Sequence, residues 1–170
     1  MNSNITIRKG NIEDTAAMSH IFNHYIRTSN VIFSERERTP LDMYRLLAPV
    51  VEGGYPFYVA EVDGTFAGYC FAHAWLPDPV YAYCWELTEY LLPEAAGHGV
   101  GSGLLRHVID DCFKGGAHSL VAFVTADNLP CCRMLARFGF SHIGTLPETG
   151  FKHGRWHGDA IYQLILPDRK

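Results

Sequence analysis

Apolar residues along this chain change their spacing repeatedly, and these changes predict strands that alternate with helices. Ile5 and Ile7 alternate with polar residues before Gly10, which predicts a short first strand. Residues 16–26 then carry apolar side chains at helical spacing, which predicts a first helix. Residues 30–38 are polar and irregular around a short apolar run, and we interpret them as a surface loop.

A second helix is predicted to begin at Thr39 and Pro40, because proline is tolerated in the first helical turn. Gly53 and Gly54 are expected to end it. The inward face of this helix is predicted to carry Leu41, Tyr44, Leu47, Val50 and Val51.

A strand over residues 57–62 is followed by Asp63-Gly64, the strongest hairpin signal in the chain. The strand over 66–75 should therefore pair with it in antiparallel fashion. Residues 76–80 contain two prolines and predict a loop, and residues 81–92 predict one long strand.

A glycine-rich turn follows this long strand. Pro93 ends the apolar run, and helical apolar spacing resumes over residues 104–112. Glycine lets a backbone approach a ligand closely, and a helix N-terminus attracts phosphate, so the turn is a candidate pyrophosphate site. An ordinary strand-to-helix turn would look the same, since glycine spacing alone is a weak signal. The four glycines are Gly97, Gly99, Gly101 and Gly103.

The remaining pattern completes one mixed fold. Gly115 and Gly116 predict the end of the third helix, and Asn128 is expected to cap a fourth. The predicted order β α α β β β α β α β β indicates an α/β fold, with a mixed central sheet and helices on both faces. We expect residues 1–170 to form a single domain. The last elements are strands over 120–125, 140–145 and 156–166 and a helix over 129–138.

The composition of the chain limits the classes of partner that the protein is expected to bind. The net charge is −4 over 170 residues, so there is no basic excess to hold a nucleic acid. The five cysteines form no C-x-x-C pair, which favours free thiols in a reducing cytoplasm. No window reaches membrane-spanning length, and the nine histidines form no H-E-x-x-H motif, so we expect neither a membrane partner nor a metal.

The order of elements and several short motifs resemble the GNAT N-acetyltransferases over nearly the whole chain. The glycine turn lacks the lysine of a Walker loop and the third glycine of a dinucleotide fingerprint, and it resembles the GNAT pattern [RQ]-x-x-G-x-[GA]. Ala96 stands where Arg or Gln is usual. More narrowly, the chain is similar to the phosphinothricin and methionine sulfoximine N-acetyltransferase branch. The motifs that carry this likeness are Asn23–Ile26, Phe33, Tyr55-Pro56, Trp75, Glu86, Gly99–Ser102, Asn128–Pro130, Gly139-Phe140, Gly144–Leu146 and Lys152–Gly154 with Trp156.

The resemblance implies direct acetyl transfer from acetyl-CoA to a small amine, by a homodimer. It implies that the central strands splay apart to form the acetyl-CoA cleft, where backbone groups of Leu91 and Leu92 meet the pantetheine arm. Asn128 would contact the same arm, although a helix cap explains this residue equally well. The pyrophosphate would lie on Gly97, His98, Gly99, Val100, Gly101, Ser102 and Gly103.

Glu86 is the candidate general base, because an amine must lose a proton before it attacks a thioester. Burial in the apolar strand would raise its pKa toward a useful value. Glu89 lies on the opposite strand face by alternation, and the family position favours Glu86. The alternative is a structural carboxylate that binds a neighbouring hydroxyl or backbone N–H.

Candidate substrate residues are Tyr25, Phe33, Trp75 and His153, although aromatic residues more often belong to a core and a loop histidine often binds backbone. Leu135 stands where these enzymes often carry a proton-donating Tyr or His. Rival interpretations are an acyl-CoA-binding protein with weak catalysis and an acetyltransferase of proteins or peptides.

Overall fold

The computed structural model describes residues 4–167 and contains seven strands and four α-helices. The helices are α1 (Thr15–Thr28), α2 (Pro40–Glu52), α3 (Val100–Gly115) and α4 (Leu129–Arg137). The strands are β1 (Ile5–Lys9), β2 (Phe57–Val62), β3 (Thr65–Ala74), β4 (Cys84–Leu91), β5 (Ser119–Thr125), β6 (Ser141–Lys152) and β7 (Arg155–Ile165). Apart from three short 3-10 turns, this order confirms the predicted one.

The strands form a mixed sheet in the order β1-β2-β3-β4-β5-β7-β6. β2 and β3 are antiparallel across Asp63-Gly64, as their turn residues predict. β4 and β5 are parallel, and their ladder joins Cys84–Glu86 to Ser119–Val121, although β4 continues to Leu91 and β5 to Thr125. The short ladder and the mixed order agree with the predicted open sheet.

The described residues divide into two compact units. The first contains residues 4–22, 38–73 and 88–116, and the second contains 23–37, 74–87 and 117–167. In the first unit, α3 packs on β1 and β2, where the Tyr58 hydroxyl donates a hydrogen bond to Asp111 over 2.7 Å. The rings of Phe22 on α1 and Tyr90 on β4 meet edge to face at 5.8 Å.

The second unit is built on β5, β7 and β6. Its core includes Leu120, Leu135 and Phe140, each less than 5% exposed. β6 is longer than the predicted strand because it continues past irregular pairing between Leu146 and Gly150. Pro147 and the positive φ of Glu148 lie in this bulge, so the sequence there does not resemble a strand.

Three local predictions were wrong. Met43, Leu47 and Val50 face the core from α2, whereas Leu41, Tyr44 and Val51 are exposed, because tertiary contacts select one of two apolar stripes. Ile32 is buried although it lies in the predicted surface loop. Residues 81–83 precede β4, because Asp78 caps a 3-10 turn over Pro79–Tyr81.

No α-helix among residues 4–167 is long and apolar enough to cross a bilayer. The same residues hold no group of three or more His, Cys, Asp or Glu side chains suited to a metal ion.

Candidate active site

The glycine turn in the first unit presents an open backbone at the start of α3. Gly97 and Gly99 have φ angles of 81° and 86°, in the region where a side chain causes strain. A Cβ atom at either position would meet no atom within 4 Å, so the space above both glycines is free. Gly99 is the N-cap of α3 and has no side chain to cover the first helical N–H groups.

The other two glycines of the turn serve packing. Gly101 is buried, and a Cβ atom on Gly103 would lie 2.5 Å from Cδ1 of Ile7 on β1. The side chain of Val100 is fully buried, while Ser102 is half-buried and His98 is exposed. Any phosphate here would therefore meet backbone N–H groups, Ser102 or His98, because Ala96 offers no polar side chain.

The second half of β4 leads directly into this turn. Leu91 and Leu92 are half-buried. The N–H of Leu92 donates to the carbonyl of Ala67 over 2.8 Å, and the carbonyl of Leu92 accepts from the N–H of Ala95 over 3.0 Å. The N–H of Leu92 is therefore already engaged within the protein, and the contact of Leu91 and Leu92 with the pantetheine arm stays a prediction.

Two carboxyl groups on β4 have different surroundings. Glu86 is half-buried and pairs with Val121 at the last described step of the β4–β5 ladder. Glu89 keeps part of its residue surface, but its Oε1 atom is shielded and has no hydrogen-bond partner among residues 4–167. Burial raises the pKa of Glu89 to about 8. The raised pKa of Glu86 stays a prediction. The raised pKa of Glu89 was not predicted from the sequence.

The second unit holds the remaining predicted residues. Asn128 caps α4, and its side-chain oxygen accepts from the N–H of Cys131 over 3.4 Å. A helix cap is thus one established role of Asn128. Leu135 is apolar and only 3% exposed, so it cannot supply a proton.

The four substrate candidates have different described surroundings. Phe33 is half-buried, and its ring lies against Gly150, where a Cβ atom would otherwise be. The ring is 5.9 Å from that of His157. Trp75 is half-buried and meets Tyr81 edge to face at 5.4 Å. Tyr25 is half-buried with its ring 5.4 Å from His24. His153 is exposed in the β6–β7 turn, where its φ of 49° fits a tight hairpin.

Sequence reasoning missed the network that anchors the loop containing Phe33. The amino group of Lys152 donates to the carbonyls of Ser29 and Ile32 over 2.7 and 2.9 Å. Burial lowers the pKa of Lys152, and Glu35 opposes this shift. The K-H-G-x-W motif suggested a site here, but nothing in it revealed that its lysine is an internal anchor.

A second set of polar contacts lies beside this anchor. Asn30 Nδ2 donates to Asp127 over 2.7 Å and lies 2.8 Å from Nδ1 of the buried His157. Nε2 of His157 lies 3.2 Å from the carbonyl of Lys152. Arg155 forms an ion pair with the same Asp127 at 3.4 Å. Both cations of the final hairpin, Lys152 and Arg155, thus have partners within the protein.

Comparison with known proteins agrees with this geometry. The acetyltransferase (GNAT) family profile matches residues 18–140. A phosphinothricin N-acetyltransferase of Streptomyces viridochromogenes is 35% identical over 94% of this chain and 86% of its own. An L-methionine sulfoximine/L-methionine sulfone acetyltransferase of Salmonella typhimurium is 29% identical over 96% of both chains.

Among solved structures, a putative acetyltransferase from Salmonella typhimurium with its cofactor acetyl-CoA superposes with a TM-score of 0.93. The two share 30% of residues over 99% of this chain and 97% of the other. Family match, relatives and fold agree over most of the sequence: the chain belongs to the acetyltransferase (GNAT) family.

Proposed function

We propose that this protein transfers an acetyl group from acetyl-CoA to the amine of a small molecule. The observation that carries the proposal is the turn between β4 and α3, where Gly97 and Gly99 hold positive φ angles beneath open space. Such a turn offers backbone N–H groups and the positive end of a helix to a pyrophosphate. The family match supports the same cosubstrate.

Glu86 would act as the general base, directly or through one water, and take a proton from the ammonium form of the acceptor. The neutral amine then attacks the thioester carbon, the C–S bond breaks, and CoA leaves as a thiolate. Leu135 holds no proton, so we propose that solvent protonates this thiolate. The transfer needs no acyl-enzyme, and the cysteines of α4 take no part in it.

The acceptor is proposed to be a neutral or cationic amine. A carboxylate is recognised best by an arginine fork, and the nearest cations in sequence are already engaged. Lys152 donates hydrogen bonds to the loop carbonyls, and Arg155 forms an ion pair with Asp127. Asp78 is exposed in the loop before β4 and adds negative charge there. Phosphinothricin, which the relatives acetylate by their names, should therefore be a weaker substrate here.

A thiol-release assay tests the proposal directly. Acetyl-CoA turnover would be followed with neutral amino acid derivatives, polyamines, phosphinothricin and short peptides as acceptors. Release of CoA with a small amine supports the proposed reaction. Turnover restricted to peptides would support a peptide acetyltransferase instead, and acetyl-CoA binding without turnover on any acceptor would favour a weakly catalytic binding protein.

We propose further that the chain acts as a homodimer. β6 is an edge strand of the sheet, and several large apolar side chains on the β6–β7 hairpin are about half exposed, which is typical of an interaction surface. They are Ile143, Leu146, Phe151 and Trp156. Light scattering should give twice the chain mass, and Trp156→Glu should lower it, whereas Tyr83→Glu outside the hairpin should not.

A cytoplasmic location completes the proposal. All five cysteines are free, which suits a reducing compartment. Cell fractionation with a tagged full-length chain would test this location.

A further inference from the structure

The second half of β4 is unusually accessible for a central strand. β4 is fourth of the seven strands, yet Thr88, Glu89, Tyr90, Leu91 and Leu92 are all half-buried. The covering helix α3 packs on β1 and β2, at the edge of the sheet. Residues 88–92 therefore keep solvent access in the middle of the sheet, and this accessible stretch leads straight into the glycine turn.

Glu89 lies on the α3 side of this strand. A Cβ atom on Gly68 would meet the side chain of Leu91. The side chain of Leu91 therefore lies on the face of the sheet toward which a Gly68 side chain would point. Register places Gly68 on the same face as Cys70 and its partner Tyr58, whose hydroxyl binds Asp111 of α3. Glu89 is two residues before Leu91 and shares its face by strand alternation.

One oxygen of the Glu89 carboxyl has no hydrogen-bond partner in the part of the chain that the structure describes. This atom, Oε1, is shielded from solvent and accepts or donates no hydrogen bond among residues 4–167. An unsatisfied buried polar atom costs about 1–3 kcal/mol, so such atoms are rare unless a ligand or water completes them. A polar atom of this kind on a strand stretch that keeps solvent access points to a group that arrives with the ligand.

Burial favours the neutral form of this carboxyl, because burial alone raises the pKa of Glu89 to about 8. On α3, Asp111 is held by Tyr58 and Lys114, and burial raises the pKa of Cys112 to about 12. Cys70 of β3 is a free thiol on the same face as Gly68, and Nδ1 of His107 on α3 lies 2.9 Å from the Gly103 carbonyl. The other titratable or charged residues of these two elements are Arg106 and Asp110 of α3 and Tyr69 and His73 of β3. In its neutral form, Glu89 thus offers an O–H donor.

We infer that Glu89 is a proton-bearing carboxyl that donates a hydrogen bond to a carbonyl oxygen of the acetyl-CoA arm lying along residues 88–92. The inference rests on the proposed function, because a pyrophosphate on the glycine turn would direct the amide-bearing arm along residues 88–92. Ionised Glu89 would lose the donor and place a negative charge beside an anionic cosubstrate. Acetyl-CoA binding is therefore coupled to the protonation of Glu89.

Calorimetric binding of acetyl-CoA, without an acceptor amine, tests this coupling. At pH 8 about half of Glu89 is ionised, so binding should take up about half a proton, seen as a dependence of the binding heat on buffer ionisation enthalpy. Affinity should fall roughly tenfold from about pH 7 to about pH 9. Acetyl-CoA is the suitable probe because, unlike CoA, it has no titratable thiol.

Matched variants assign the effect to one carboxyl. Glu89→Gln keeps a neutral donor, so it should bind at pH 7 as the wild type does while losing the proton uptake and the pH slope. Glu89→Leu removes the donor and should bind about two- to tenfold more weakly at pH 7. Glu94→Gln changes an exposed carboxyl just after β4 and should bind acetyl-CoA as the wild type does.

Each result decides between the inference and the proposed function. Wild-type binding without proton uptake, or uptake that persists in Glu89→Gln, overturns the role of Glu89 and leaves acetyl-CoA binding standing. No wild-type binding at any pH overturns the proposed function and this inference with it. The buffer comparison on the wild type needs no Glu89 variant, so it remains decisive if those variants fail to fold.

Discussion

The side-chain amino group of Lys152 donates a hydrogen bond to the carbonyl of Ile32 over 2.9 Å, although 120 positions separate them in the sequence. A second bond from the same amino group reaches the carbonyl of Ser29. Lysine is seldom buried, yet Lys152 is only 3% exposed. The pair fixes residues 29–33 on the β6–β7 hairpin, and it withdraws the lysine from any substrate carboxylate.

Lys152→Met should destabilise the protein, because it leaves the carbonyls of Ser29 and Ile32 without their donor while nearly keeping the side-chain length. We expect the free energy of unfolding to fall by about 2–4 kcal/mol, measured in urea. Lys114→Met is the control: Lys114 is 73% exposed and forms a surface pair with Asp111, so its loss should change stability by about 0.5 kcal/mol or less. Equal effects of the two substitutions would contradict an anchoring role.

Gly99→Asp should abolish acetyl-CoA binding, because it places a side chain and a negative charge where the phosphate is proposed to lie. Gly99→Asn is the matched variant, since asparagine has nearly the same shape, tolerates a positive φ and carries no charge. It should bind more weakly than the wild type but measurably in calorimetry. Unchanged affinity in a folded Gly99→Asp protein would remove the glycine turn from the site.

Glu86→Gln should lower kcat by about 10²-fold or more with acetyl-CoA affinity nearly intact, because glutamine cannot accept a proton. Steady-state kinetics over the pH range, together with calorimetric binding, separates the two effects. The loss should diminish at high pH, where more of the acceptor amine is already neutral. A kcat within a few-fold of the wild type at every pH would make Glu86 a structural residue.

Asp78→Arg should raise kcat/KM for phosphinothricin relative to a neutral amine, because it reverses the charge of the loop before β4. The measurement is the ratio of kcat/KM values for the two acceptors. Asp78→Asn is the control for its role as the cap of the following 3-10 turn, since asparagine keeps a side-chain oxygen for the N–H of Val80. An unchanged ratio would show that Asp78 lies outside the acceptor site.

Glu89 should make stability depend on pH. Its folded pKa of about 8 lies above the ordinary value of 4.5, so the folded state holds a proton that the unfolded state releases between these values. The stabilisation is complete below pH 4.5 and is lost as pH rises to 8, at up to about 1.4 kcal/mol per pH unit. In urea, the free energy of unfolding of Glu89→Gln should therefore rise relative to that of the wild type as pH increases. A difference that stays constant with pH would contradict the raised pKa.

Much of the fold follows from local chemistry. Asp63-Gly64 favours a tight hairpin turn, and Thr39 with Asp42 forms the box of hydrogen bonds that begins α2. Gly97 and Gly99 permit the positive φ angles of the turn before α3. Each of these features depends on residues a few positions apart, so the sequence alone determined the order of elements, the hairpin and the glycine turn.

Tertiary contacts decided the rest. Which stripe of α2 is buried, the neutral state of Glu89 and the anchoring role of Lys152 all depend on partners far away in the sequence. Burial sets the pKa of a carboxyl, and it forces a lysine to find acceptors, yet neither Glu89 nor Lys152 differs in sequence from an exposed charge. These properties arise only when distant segments close around the side chain and remove it from water.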